Sequence, residues 1–274
     1  MTERSPFASF VAACLTLSLT QTGLAAGPTV QTLPSSRVVT TLGDTPGWFL
    51  CDSLSGPTVS VMGWPDARGL SRLTTYSKAK AGQFVYRNYR VGEADAGAGQ
   101  VYYPLSASGL NVAGQALESG SNVPAIGSFN TGALDHPEQA LTPNIVTLNS
   151  GETTGDCRWT LNTRLLGFDA RRSFMVTETP AGQLRYQTFD FADPVRPIQP
   201  DGVQRSSVPS LSIVGGSRTL SSTQETFVFQ NAGYTYTVRV ARQGRPAAAS
   251  VTVSRGGQAV QTERLTGYTY AVRR

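Results

Sequence analysis

The fold class follows from one stretch of the chain, residues 233–240, which read GYTYTVRV. Its Tyr and Val side chains alternate with Thr235, Thr237 and Arg239. Successive side chains of a β-strand point to opposite faces, so this alternation predicts a strand with one buried and one solvated face. Residues 267–273, GYTYAVR, nearly repeat the stretch. Equivalent strands of a small barrel or sandwich would produce this similarity, and so would convergence on good strand formers.

The sequence on either side continues the pattern. Residues 226–230 and 250–254 consist mainly of Thr, Val, Phe and Ser, which favour strands. Turn signals follow each of them, at residues 231–233 (NAG) and 255–257 (RGG). We therefore predict that residues 201–274 form a C-terminal β-meander.

Two segments of the preceding region resemble each other. AGQFVY at residues 81–86 recurs as AGQLRY at residues 181–186, and GWPDAR at residues 63–68 resembles GFDAR at residues 167–171. The Ala-Gly pair favours a hairpin turn, because glycine accepts a positive φ at no steric cost. We interpret the shared order of the two blocks as a suspected internal repeat, with chance similarity as the alternative.

The composition agrees with an all-β chain. It includes 28 Gly and 16 Pro, and only 15% of the residues are charged. We predict antiparallel sandwich or barrel-like sheets, built from a suspected duplicated β-hairpin unit plus the C-terminal β-meander. The two copies span residues 45–91 and 155–191 within an all-β region at residues 27–200. The meander either packs on this region or forms its own domain.

The first 26 residues have the layout of a secretory signal peptide. Arg4 precedes an apolar run over residues 7–19, and small residues at 23–26 offer a cleavage site. No later segment approaches the length of a membrane span. We therefore expect an exported protein, periplasmic or extracellular, with no transmembrane segment after signal cleavage. A lipobox-like stretch that ends at Cys14 gives lipid anchoring as the alternative.

Export also bears on the remaining two cysteines, Cys51 and Cys157. Two cysteines in an oxidising compartment usually pair. Each of them also precedes one of the two similar blocks, and equivalent positions would lie close together across a pseudo-twofold axis. We predict a Cys51–Cys157 disulfide. Two separate buried thiols are the alternative.

The inventory of reactive side chains argues against several enzyme classes. His136 is the only histidine, and its surroundings, Asp135-His136-Pro137-Glu138, favour the start of a short helix. One histidine and two paired cysteines do not supply a zinc site, and we expect neither a metal nor another cofactor. Residues 77–80, SKAK, match the Ser-x-x-Lys spacing of serine acyl-enzymes, but they lie at a predicted hairpin turn.

Two aspartates are the remaining catalytic candidates. Asp66 and Asp169 occupy equivalent positions of the suspected repeat, and each is followed by Ala-Arg. If they shared a cleft, they could form the acid and base of an envelope hydrolase, because close carboxylates split their pKa values. The alternative is that each aspartate caps its own turn and pairs locally with Arg68 or Arg171.

The charge distribution suggests a binding function rather than catalysis. The net charge is +5, and residues 201–274 hold nine arginines against three acidic residues. A basic exported surface attracts anionic envelope polymers, whereas the compartment argues against nucleic acid. The alternative is a solvated face that keeps the protein soluble. The candidate binding residues are Arg239, Arg242, Arg245 and Arg273.

These observations give one main functional hypothesis and two alternatives. We expect a non-catalytic binding or structural protein of the cell envelope, whose partner is an anionic polymer or another exported protein. The first alternative is the hydrolase based on Asp66 and Asp169. The second is a proteinaceous inhibitor of a wall-degrading enzyme, which would present a protruding loop from residues 92–155.

Overall fold

The computed structural model describes residues 36–40, 47–54, 56–97, 99–107, 123–129, 145–151, 154–158, 160, 162–192, 208–241 and 248–271. These residues form β-strands and no helix, which confirms the predicted all-β class. The strands are β1 (Ser36–Thr40), β2 (Gly47–Asp52), β3 (Thr58–Gly63), β4 (Leu70–Ser77), β5 (Phe84–Val91), β6 (Asp95–Ala96), β7 (Gln100–Ala107), β8 (Ala125–Phe129), β9 (Ile145–Asn149), β10 (Thr154–Asp156), β11 (Thr163–Phe168), β12 (Arg172–Glu178), β13 (Leu184–Asp190), β14 (Leu211–Val214), β15 (Ser217–Leu220), β16 (Gln224–Asn231), β17 (Tyr234–Ala241), β18 (Ala249–Arg255), β19 (Gln258–Arg264) and β20 (Gly267–Ala271).

Fifteen of the described strands form one large antiparallel sheet. Its order is β10-β9-β8-β7-β5-β4-β3-β2-β1-β20-β11-β12-β13-β14, and β6 pairs with β7. β20 pairs with β1 on one side and with β11 on the other, so that Tyr268 lies opposite Val39 and Gly167. The strand that the sequence placed at the end of the C-terminal meander therefore belongs to the large sheet. Alternation identified the strand but did not specify its neighbours.

The remaining five strands, β15 to β19, form a second antiparallel sheet in chain order. A two-residue turn, Ala232-Gly233, joins β16 to β17, and both of its residues have positive φ (50° and 79°). Gly256-Gly257 joins β18 to β19 in the same way, with φ of 57° and 81°. Turns with two positive φ angles match the right-handed twist of the strands they connect. The predicted meander is thus present from β15 to β19.

The two sheets share a hydrophobic core. Because polar and apolar residues alternate along these strands, each sheet turns one apolar face towards the other. The buried side chains of this core are Leu165, Phe174, Val176 and Tyr186 on the large sheet and Phe227, Phe229, Val238, Val240 and Val251 on the five-stranded sheet. The C-terminal strands therefore pack against β11 to β13 as one side of a sandwich.

The large sheet curls strongly between its two halves. Tyr76 on β4 and Phe168 on β11 lie five strand positions apart in the sheet order, which a flat sheet would separate by roughly 24 Å at about 4.8 Å per strand. Their ring centroids are nevertheless 4.8 Å apart. Leu50, Val61 and Met175 belong to the same buried cluster. The sheet therefore encloses a core between β2–β4 and β11–β13.

The two hairpins of the suspected repeat have similar turns. Gly82, between β4 and β5, has a φ of 76°, and Gly182, between β12 and β13, has a φ of 79°. Both glycines occupy the position that the sequence predicted to need positive φ, where a β-carbon is unfavourable. The turn chemistry of both hairpins agrees with the prediction, while the duplication itself stays a prediction.

The predicted disulfide between Cys51 and Cys157 is present, with the two Cα atoms 4.8 Å apart. It joins β2 to the residues directly after β10, at the far edge of the sheet. Two backbone hydrogen bonds support the junction: Leu54 N–H donates to Asp156 C=O, and Arg158 N–H donates to Asp52 C=O, each at 2.8 Å. The strands from β2 to β10 are thereby closed into a barrel-like arrangement around a third core.

Loss of this bridge should destabilise the fold. The bridged residues are 106 positions apart, and a loop of that length restricts the unfolded chain strongly. In the chain-entropy model, replacing both cysteines with alanine should lower the free energy of unfolding by about 3–5 kcal/mol. Denaturant unfolding of the oxidised protein and of the double variant measures the difference. A reducing agent should leave the double variant unchanged, and equal stability of the two proteins would contradict the expectation.

Candidate functional site

Asp66 caps the turn between β3 and β4. Its Oδ1 accepts hydrogen bonds from the backbone N–H groups of Arg68 (2.8 Å) and Leu70 (2.9 Å). Its Oδ2 pairs with the Arg68 guanidinium, with Nη2 at 3.1 Å. The Leu70 N–H contributes most to lowering the Asp66 pKa, and the Arg68 N–H and guanidinium add to the effect. Every acceptor of this exposed carboxylate is engaged within its own turn.

Asp169 has the same role in the turn between β11 and β12. Its Oδ1 accepts hydrogen bonds from the backbone N–H groups of Arg171 (2.7 Å) and Arg172 (2.9 Å). The Arg171 side chain does not return to the aspartate, because its guanidinium bonds to Glu263 on β19. Both aspartates therefore cap turns, as the local interpretation of the sequence expected, but only Asp66 pairs with the following arginine.

The structure does not bring the two aspartates into one cleft. Asp66 bonds to Leu70, the first residue of β4, whereas Asp169 lines a cavity together with Tyr76 and Ser77, the last two residues of β4. β4 has 8 residues, so its ends are roughly 23 Å apart at about 3.3 Å per residue. A shared acid and base pair needs hydrogen-bond reach through the substrate, and this placement gives the hydrolase hypothesis no geometric support.

The Ser-x-x-Lys segment forms the predicted turn and no helix. Ser77 Oγ accepts a hydrogen bond from the backbone N–H of Lys80 at 3.1 Å, and Lys80 itself is exposed. Several other predicted residues lie outside the described part of the chain: Cys14, His136, Arg242, Arg245 and Arg273.

A buried charge centre, Asp52 with Lys78 and Arg158, was missed by the sequence analysis. Asp52 is fully buried, and its two carboxylate oxygens each contact one cation at 2.6 Å: Lys78 Nζ on one side and Arg158 Nε on the other. Lys78 Nζ also donates to the carbonyl of Ser53 at 2.5 Å. The three residues come from β2, the turn after β4 and the segment after β10. The centre therefore connects the same parts of the chain as the disulfide.

The pKa shifts of this centre follow from its burial and its charges. Burial by itself raises the pKa of Asp52, but the two cations outweigh it and lower the pKa from 3.8 to about 2. Burial is also the main effect on Lys78 and lowers its pKa, while Asp52 opposes that shift. Aromatic rings cover the cations: Arg158 lies 3.3 Å from the ring centroid of Phe189, and Lys78 lies 5.6 Å from that of Phe191. The burial and mutual pairing of the three side chains indicate a structural role.

The outer face of the five-stranded sheet carries the predicted basic residue Arg239. We define this face by two cross-strand rows, Thr226, Arg239, Ser250 and Arg264 in the first and Thr237, Thr252 and Thr262 in the second. Arg239 and Arg264 are both exposed. Because strand side chains alternate, the buried Val238 and Val251 point to the opposite, inner face. Arg264 was not among the predicted binding residues because β19 was not predicted.

The acidic residues of this sheet lie on the inner face and are already paired. Glu225 is buried and pairs with Arg218 and Arg164, and the buried Glu263 pairs with Arg171. Within the described part of the chain, neither Arg239 nor Arg264 has an ion-pair partner. The outer face is therefore basic, with hydroxyl groups beside and between its two arginines.

Comparisons with protein-family models, with curated proteins and with solved structures each gave no match. Among the described residues, no group of three or more His, Cys, Asp or Glu side chains is arranged to hold a metal ion. The same residues contain no helix with the length and apolar character that a membrane crossing requires.

Asp52→Asn should destabilise the protein by about 3–5 kcal/mol, because it leaves two buried cations without their carboxylate. Lys78→Met should destabilise the protein less than Asp52→Asn, because the remaining Asp52–Arg158 pair has no net charge. Lys80→Met changes an exposed lysine two positions away and serves as the control, with an expected effect within about 0.5 kcal/mol. Denaturant unfolding gives all three values.

Acid titration provides a second measure of the same centre. Asp52 has a lowered pKa, so its contribution to stability is fully present above pH 3.8 and is lost as the pH falls towards 2. The wild-type protein should therefore lose more stability in this interval than Asp52→Asn. Identical unfolding of Asp52→Asn and Lys80→Met, or identical acid dependence of wild type and Asp52→Asn, would show that the centre does not stabilise the fold.

Proposed function

We propose that this protein is an exported, non-catalytic binding protein of the cell envelope that holds an anionic polymer on the outer face of its five-stranded sheet. The observation that carries the proposal is the pair of exposed arginines, Arg239 and Arg264, for which the described residues provide no acidic partner. A guanidinium presents five N–H donors and suits carboxylate or phosphate groups, which it binds through two parallel hydrogen bonds.

The spacing of the outer face favours an extended ligand. Arg239 on β17 and Arg264 on β19 lie on either side of Ser250, two strands apart, which corresponds to roughly 10 Å at about 4.8 Å per strand. Two anionic groups of one polymer chain can occupy such positions together. The hydroxyl groups of Ser250 and Thr226 can bond to sugar hydroxyls between the charges.

The compartment supports this choice of ligand. A disulfide between Cys51 and Cys157 suits an oxidising environment outside the cytoplasm, in agreement with the signal-like first 26 residues. Anionic polymers are abundant partners for a basic surface there, and nucleic acid is not expected. The inhibitor alternative rests on a protruding loop at residues 92–155, but the described part of this segment contains strands β6 to β9 of the large sheet, and residues 108–122 and 130–144 lie outside the described residues.

The double variant Arg239→Gln/Arg264→Gln should bind an anionic polysaccharide about 2- to 30-fold more weakly than the wild type, because two exposed ion pairs contribute about 0.2–1 kcal/mol each. The measurement is affinity for polygalacturonate or heparin at low salt. Binding by the wild type should also weaken with added salt, since salt screens exposed charges.

A matched control removes two positive charges elsewhere. Lys80 and Arg185 are both exposed and lie outside the five-stranded sheet, so Lys80→Gln/Arg185→Gln has the same net charge as the test variant. The control should retain wild-type affinity. If both double variants lose affinity equally, binding depends on net charge alone, and if neither does, the arginines only solubilise the face.

A further inference from the structure

A small cavity lies where the two halves of the large sheet meet. It has a volume of about 220 Å³, below the range of pockets that enclose drug-sized molecules, so it suits a small ligand. Four aromatic residues line it, one from each of four segments: Tyr76, Phe84, Phe168 and Phe191. The carboxylate-bearing residue in the lining is Asp169, with Ser77 nearby.

The Tyr76 ring packs against two of its aromatic neighbours at different angles. It meets Phe168 edge-on at an interplanar angle of 62° and Phe84 at 44°, with centroids 4.8 Å and 5.7 Å apart. Rings inclined in this way present both π-faces and edges to the space between them. Phe84 is 44% exposed and forms the outer wall, so a ligand can enter from solvent beside it.

The Asp169 carboxylate has one oxygen that no described residue binds. Only 9% of the residue is exposed, and its Oδ1 is occupied by the backbone N–H groups of Arg171 and Arg172. Within the described residues, Oδ2 has neither a hydrogen bond nor an ion pair. The equivalent Oδ2 of Asp66 is bound by Arg68. Asp169 Oδ2 is not among the fully buried side-chain atoms that lack a partner, so it keeps accessible surface and can pair with a donor or a cation that enters the cavity.

The geometry points to a binding site for a small organic cation, held in this cavity between the Asp169 carboxylate and the aromatic rings. Aromatic faces attract alkylammonium groups through their quadrupole, and the carboxylate supplies the opposite charge. The buried ammonium of Lys78 lies 5.6 Å from the ring centroid of Phe191 and pairs with Asp52 at 2.6 Å. Asp52 also pairs with Arg158, so the carboxylate available to a bound cation is that of Asp169, which lines the cavity. This site is separate from the outer face of the five-stranded sheet and does not depend on the function proposed for that face.

Choline and 3,3-dimethylbutan-1-ol test this proposal directly, because they have nearly the same shape and differ in charge. Titration calorimetry of the wild-type protein should show saturable choline binding and a preference over the neutral alcohol of about tenfold or more, as a charged partner contributes more than a neutral one. Equal affinity for the two probes, or no saturable choline binding, would overturn the assignment of a cation site.

Asp169→Asn isolates the charge. Asparagine keeps a side-chain oxygen for the two backbone N–H groups and favours the same turn, so the fold should be retained. The variant should lose about tenfold or more of its choline affinity. Asp66→Asn makes the same change in the equivalent turn outside the cavity and should bind choline like the wild type. Unchanged affinity of Asp169→Asn would overturn the role of its carboxylate.

A second pair of variants tests the aromatic wall and remains informative if Asp169→Asn does not fold. Phe84→Leu removes a π-face from the exposed wall but keeps an apolar side chain. Tyr86→Leu, on the same strand and also exposed, does not line the cavity and is the control. Phe84→Leu should weaken choline binding while Tyr86→Leu should not. Equal effects of the two would show that the cavity is not where choline binds.

Discussion

The carboxylate of Asp52 holds two buried cations that belong to distant parts of the chain. Lys78 follows β4 and Arg158 follows β10, and each contacts one oxygen of Asp52 at 2.6 Å. The adjacent Cys51 is bonded to Cys157, so a covalent bond and an ionic cluster fix the same junction. Because two cations share one anion, the cluster depends on Asp52 more than on either partner. The barrel-like closure from β2 to β10 rests on this junction.

Buried carboxylates also set the surface charge of the five-stranded sheet. Glu225 and Glu263 occupy inner-face positions and draw Arg164, Arg171 and Arg218 into ion pairs. The pairs with Arg164 and Arg171 link the five-stranded sheet to the large one in addition to their shared hydrophobic core, whereas Arg218 is on β15 of the five-stranded sheet itself. The same arrangement removes negative charge from the outer face. The basic character of that face thus follows from how the two sheets are joined.

Alternation along the strands and turn residues made much of the fold predictable. The alternating residues from Tyr234 to Val240 form β17, the Ala-Gly turns occur, and export predicted the correct disulfide. Alternation does not reveal which strands are neighbours, and so the place of β20 in the large sheet was not foreseen. Lys78 sits in a turn signal, where a lysine is normally exposed. Lys78 is buried because the large sheet curls and brings Phe191 over Lys78 and Phe189 over Arg158.

The two Asp-Ala-Arg turns show why local sequence does not determine a site. In the first turn Arg68 bends back onto Asp66, and the carboxylate is fully satisfied. In the second turn Glu263, which is 92 positions away in the chain, binds Arg171 instead. With Arg171 held by this competing ion pair, no described residue binds Asp169 Oδ2 beside the aromatic cavity. An acid on the neighbouring sheet therefore decides whether this carboxylate pairs with its own arginine, and the packing of the two sheets shapes both candidate binding surfaces.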